Sequence, residues 1–225
     1  EDVSRRSATL AEPLRLALQA ASWGVLALFG VVFAGSFAFK VGLVDESISF
    51  FDLAGRLGYP QALLWQRGIS LYYANRFEEG AAQFRKDVEL NPDDTEEAIW
   101  AMACEARLPQ QGGFASARQR MLSVGEDPRP VMRQVYAMFR GGDGAAEAAQ
   151  SLERAASAVA GQEPQDAFYA AFYLGLFAEA NGDEVNAKRW MKSACSSDYA
   201  NGSVDYMVDV ARLHRHVRAW EDDGL

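Results

Sequence analysis

The strongest constraint on this chain is the order of small and bulky residues between Gln61 and Asp94, QALLWQRGISLYYANRFEEGAAQFRKDVELNPDD. Read as two helices, the segment places Gly68 where a second helix must approach the first, with Leu71 and Phe77 filling the space between them. Gly80 is the small residue at the crossing and Phe84 closes the pair. Asn91-Pro92 ends the unit, because proline lacks the N–H a helix interior needs. A helical hairpin of this size cannot bury its apolar face alone and must stack on others like it. The expected architecture is therefore a stack of helix pairs.

The rest of the chain supplies the partners. Thr95 opens a helix running through Leu108, with Glu97 in its first turn; the helix breaks at Pro109 and Gly112-Gly113, and a second follows from Phe114 to Val124. A third pair is expected over Pro130 to Arg140 and Ala145 to Ala160, separated by Gly141-Gly142-Asp143-Gly144. The fourth recovers the pattern: Leu174-Gly175, Gly182-Asp183, Ala187 and Ala194 fall at the offsets of Arg67-Gly68, Asn75-Arg76, Gly80 and Asp87. A last helix, Val204 to Trp220, is expected to cap the exposed end.

This 34-residue unit resembles a tetratricopeptide (TPR) repeat, departing from the pattern at Leu64, where Trp is usual, and at Arg67, where Leu is usual. The resemblance covers the solenoid, is specific in the first and last repeats, and implies binding of proteins on a concave face. Transferred by offset, the groove positions are Ala62, Trp65, Ile69, Tyr72 and Tyr73 in the first repeat and Tyr169, Phe172, Leu176 and Glu179 in the fourth. An aromatic groove of this kind implies an extended or helical apolar partner segment; rings at helical spacing can equally be core of the solenoid. The block from Arg56 to Leu108, with DPRPVMRQVYAMFRG further on, is similar to uncharacterised TPR proteins of plant and algal plastids.

Between Arg15 and Lys40 lie 24 uncharged residues, LALQAASWGVLALFGVVFAGSFAF. As a helix they extend about 36 Å at 1.5 Å per residue, beyond a hydrocarbon core of about 30 Å. Residues 16–39 are thus expected to form one transmembrane helix surrounded by lipid. Ala20/Gly24 and Gly30/Ala34, small residues four apart, are expected to pack on a neighbouring helix. A buried core helix, an interfacial helix, which would need a charged face this run lacks, a cleaved export signal ending near Ser36-Phe37-Ala38, and a twin-arginine signal at Arg5-Arg6 are competing readings. Three arginines precede the span against one lysine after it, which favours translocation of the repeats.

The remaining features exclude more than they assign. A formal net charge of −9 argues against a nucleic-acid surface. Cys104 and Cys195 stand in no metal or redox spacing, and His214 and His216, two apart, would point to nearly opposite sides of a helix, so no metal site or cofactor is expected. No nucleophile elbow, HExxH or phosphate loop occurs, and no catalytic residue is assigned. Arg212, Arg215 and Arg218 could form a basic stripe for an acidic partner or lipid head groups, or complement a helix C-terminus. The reading is an all-α protein: an arm over 1–15, a transmembrane helix over 16–39, a connector over 40–60 with a short helix from Ser47 to Leu57, a TPR-like solenoid of about four pairs over 61–203, and a capping helix with acidic tail over 204–225. Its expected role is a scaffold subunit or assembly factor of a membrane protein complex. The resemblance places it at the thylakoid beside a photosystem, with the repeats in the lumen; a respiratory complex of the mitochondrial inner membrane and a soluble cochaperone are the alternatives.

Overall fold

The computed structural model describes residues 24, 26–157 and 163–220, all helix, turn and loop with no strand among them. Helix α1 covers 26–40, followed by α2 (Val44–Arg56), α3 (Trp65–Tyr73), α4 (Phe77–Leu90), α5 (Thr95–Ala106), α6 (Gly113–Gln119), α7 (Pro130–Arg140), α8 (Ala145–Ala156), α9 (Pro164–Ala180), α10 (Glu184–Cys195), α11 (Asp198–Gly202) and α12 (Tyr206–Val217). The four expected pairs are α3/α4, α5/α6, α7/α8 and α9/α10, each packed against its neighbour in a helical solenoid.

One stereochemical rule builds three of the hairpins. In α3/α4 a Cβ on Gly68 would lie 2.6 Å from Phe84 Cζ, so the ring occupies the space a side chain would take. Asn75, seven residues on, turns the chain in the left-handed region at φ 59°. In α9/α10 the corresponding residues are Gly175, Gly182 at φ 81°, and Met191, whose Cγ lies 3.0 Å from a Cβ built on Gly175. The same set occurs ahead of the first expected repeat: Gly35, Gly42 at φ 84°, and Phe51, whose ring lies 3.0 Å from a Cβ built on Gly35. Helices α1 and α2 are therefore a further hairpin. Residues 40–60, expected as a connector, contain the whole of α2, which packs on α3 and is tied to it by the buried Ser47–Ser70 hydroxyl pair at 2.9 Å and by Arg67 donating to Asp52 at 2.7 Å.

The last helix does more than cap an end. It packs on α10, and it also returns to the start of the chain. The Tyr206 ring stacks on Phe39 of α1 at 5.4 Å and meets Trp65 of α3 edge-on at 5.3 Å. Lys40 pairs with Asp209 at 3.1 Å, and the hydroxyl of Tyr73 shares a hydrogen bond of 2.9 Å with His214 Nδ1. Helix α9 runs through the middle. It is apolar on all sides, and Phe168, Phe172, Tyr173 and Leu176 are fully buried, which is what a helix enclosed by neighbours requires.

Residues 16–23 and 25 of the expected membrane span, Ala20 among them, lie outside the described residues. Its described portion, α1, has two faces. Gly35, Ala38 and Phe39 are buried against the repeats. Leu26, Phe29, Phe33 and Phe37, spaced three and four apart along the other face, are exposed, Phe33 at 72%. Cβ atoms on Gly24 and Gly30 would meet nothing within 4 Å, and Ala34 is half-buried. Among the described residues no helix is long and apolar enough to cross a membrane.

Candidate functional site

The groove positions divide into two sets. Tyr72, Tyr73, Phe172 and Leu176 are buried in the interior of the solenoid, where they contact the chain itself. Tyr72 lies edge-on to Trp100 at 5.2 Å and donates its hydroxyl to Glu179 at 2.5 Å; Phe172 lies beside Trp100 at 6.2 Å. The physical reason is closure: residues of α9 and α12 pack directly against those of α3 and α5. Trp65, Ile69 and Tyr169 instead line an open cavity of about 280 Å³ between α3, α5, α9 and the start of α12.

The rest of that wall is Phe84, Trp100, Met207 and four carboxylates, Asp94, Glu96, Glu97 and Asp205. Asp94 is the N-cap of α5 and accepts from the backbone N–H of Glu96 at 2.9 Å and of Glu97 at 3.4 Å, a helix start of the kind the dipole favours. Asp205 caps α12, accepting from Met207 N–H, and takes the hydroxyls of Tyr169 and Tyr199 at 2.8 and 2.9 Å. Glu96 accepts from Arg129 at 2.6 Å and from Tyr173 at 2.7 Å. Glu97 differs from these three: its Oε2 is buried without a hydrogen-bond partner. Burial first, then a side-chain hydrogen bond shared with Asp94 and the charges of Asp94, Asp87 and Glu96, push its carboxyl up to about 10. Trp100, 2% exposed, also has no partner for its Nε1–H.

At the C-terminal end of α9 sits a second polar cluster centred on Glu179. Besides Tyr72 it takes Arg218 at 2.5 Å and Arg107 at 3.0 Å, with His214 Nε2 at 3.6 Å. Burial would raise Glu179; the charges of His214 and Arg218 and the hydrogen bonds from Tyr72 and Arg218 outweigh it and hold the carboxyl at about 2. Burial, helped by Arg218 and Arg107 against Glu179, lowers His214 to about 4, so the imidazole is neutral at pH 7. This cluster joins α3, α5, α9 and α12 and works as a lock on the fold.

The expected basic stripe is engaged within the chain. Arg212 donates to the carbonyl of Ala200 at 2.8 Å and lies 3.7 Å from Asp209. Arg215 donates to the carbonyl of Trp220 at 3.4 Å, and Arg218 holds Glu179. Cys104 is buried, with its thiol pushed upward by burial first, and Cys195 is half-buried. No group of three or more metal-ligating side chains occurs among the described residues.

Sequence reasoning missed Glu97, Trp100 and Asp205, and placed Glu179 in the groove and not in an internal cluster, because their meeting depends on the return of α9 and α12 across α3 and α5. A scan against protein-family models and a search of curated proteins gave no match to this sequence.

Proposed function

We propose that the chain is a membrane-anchored, TPR-like scaffold that holds partner proteins of a membrane complex. The observation that carries this reading is the exposed apolar stripe of Leu26, Phe29, Phe33 and Phe37 on a helix whose other face is docked into the repeats. Exposed apolar residues scattered singly need no explanation, but a continuous helical stripe marks an interaction surface. The occupant assigned to it is the lipid bilayer, because the stripe continues an uncharged run that begins at Leu16. In this arrangement α1 enters the membrane from the N-terminal side and emerges at Gly35 to Lys40 as the first helix of the first hairpin. The solenoid is thereby held at a fixed orientation to the bilayer, as a scaffold for neighbouring subunits needs.

The plastid resemblance of the Arg56–Leu108 block is the support for a thylakoid host, with a photosystem as the complex and the repeats in the lumen. The test is native electrophoresis of mildly solubilised membranes carrying the tagged chain. Co-migration with pigment-bearing subunits is expected. Co-migration with cytochrome-bearing respiratory subunits would move the host, and release of the intact chain by alkaline carbonate would overturn the anchoring.

A further inference from the structure

We propose that the cavity between α3, α5, α9 and α12 takes the arginine or lysine side chain of a partner polypeptide, gripped by Glu97 and flanked by Trp65 and Tyr169. The proposal rests on the scaffold reading and names the chemistry of the segment such a scaffold would hold. Four observations support it.

The lining contains four carboxylates and no basic residue, set among aromatic rings; acid and π-face together are the environment a guanidinium or ammonium group favours. Three of the carboxylates have donors among the chain's own N–H and O–H groups, whereas Glu97 has only a side-chain hydrogen bond shared with Asp94 and leaves its Oε2 buried without a partner. An unpaired buried acceptor is costly and rare. The Trp100 indole N–H, in the same wall and likewise unpaired, is a donor, so it wants an acceptor and not a cation. A peptide supplies both: the charged side chain for Glu97 and a backbone carbonyl for Trp100, which a bare metal ion or simple amine does not. Finally, the volume of about 280 Å³ lies at the lower edge of small-molecule sites, roughly 300–1,000 Å³, and suits one side chain with its adjoining backbone.

The electrostatics give the site a signature. Buried, hydrogen-bonded to Asp94 and with Asp87 and Glu96 near it, Glu97 is a neutral acid at pH 7. Asp205 also lines the cavity, and Arg129 is the cation nearby, held by Glu96 and Asp127, with its Cζ 5.9 Å from the centre of the Tyr169 ring. A cation brought against Glu97 offsets the field of the acids and favours its carboxylate form, so binding releases a proton to solvent. Affinity therefore rises with pH.

The test uses the full chain in detergent micelles with tryptophan indoles labelled with ¹⁵N, titrated with N-acetylarginine amide and with its uncharged isostere N-acetylcitrulline amide. Saturable movement of the Trp65 and Trp100 indole signals is expected with the arginine probe, while Trp190 and Trp220 stay in place. Citrulline should bind about tenfold more weakly, as loss of the charged partner implies. Glu97→Gln, isosteric with the neutral acid, should keep the fold and weaken the arginine probe about fivefold; Trp65→Leu, at a half-buried position, should weaken it independently. Equal binding of the two probes, still indole signals, or unchanged affinity in both variants would overturn the proposal. The probes involve no membrane, so failure here leaves the anchoring reading standing, and release from membranes by carbonate leaves this site standing.

Discussion

Replacing Gly68 by alanine isolates the contact that builds the hairpins. An alanine Cβ would lie 2.6, 2.8 and 2.9 Å from Phe84 Cζ, Cε1 and Cε2, against an optimal carbon separation of about 3.5–4.0 Å. The ring would have to retreat by roughly 1 Å on that scale, yet it is buried and stacked on Trp100 at 6.1 Å. Overpacking of this kind costs about 1–3 kcal/mol, and the better helix propensity of alanine returns about 1 kcal/mol. Gly55 of α2 is the control, since a Cβ there would meet nothing within 4 Å, so Gly55→Ala should gain up to about 1 kcal/mol. The clash itself is the gap between the two variants, about 1–3 kcal/mol, or several degrees in Tm at about 2–4 °C per kcal/mol for a domain of this size. Thermal melts followed by circular dichroism measure it. Phe84→Leu should relieve part of the Gly68→Ala loss, giving a double variant more stable than the sum of the singles. Equal shifts for the two Gly→Ala variants, or strict additivity in the double, would refute the packing rule.

Other consequences are equally direct. His214 titrates near 4 in the fold against about 6.5 unfolded, so its contribution is complete above about 6.5 and is lost as the pH falls towards 4. The stability of the parent minus that of His214→Gln should therefore fall by about 3 kcal/mol between pH 7 and pH 4. Taking the difference cancels Asp87, which burial first raises to about 7 and which acts in the opposite sense. Glu179→Ala should destabilise the fold by about 3–5 kcal/mol, because Arg218 and Arg107 lose their buried counter-charge; chemical denaturation reads it. Phe29→Gln with Phe33→Gln, both on the exposed face of α1, should leave the melt within about 0.5 kcal/mol of the parent while reducing flotation with liposomes.

The hairpins over 61–203 were legible because their signals are local: in the first and last, a glycine where helices cross, a turn residue seven positions on and a bulky residue sixteen positions on from the glycine; in the middle two, proline and glycine breaks between helical runs. The hairpin of α1 and α2 follows the same spacing through Gly35, Gly42 and Phe51. It was obscured because α1 lies in an uncharged run, and hydropathy dominates the reading of such a segment. The candidate site was legible only in its first wall. Trp65, Ile69 and Tyr169 could be placed by repeat offset. Glu97 sits one turn into an ordinary acidic helix start, and nothing local tells that Asp205 and Met207, more than a hundred residues away, will face it. The burial of Tyr72 and Phe172 has the same origin, since their partners Glu179 and Trp100 come from other repeats.

Lipid contact along α1 tests the central claim most directly. A cysteine-free chain carrying a single cysteine at position 33 or 185, each modified with a photoactivatable probe, is illuminated in native membranes. Phe33 stands on the exposed apolar face of α1, and Val185, at least as exposed, lies on α10 of the last hairpin. The account predicts lipid adducts at position 33 and none at 185. Adducts at neither position, or equally at both, would contradict it.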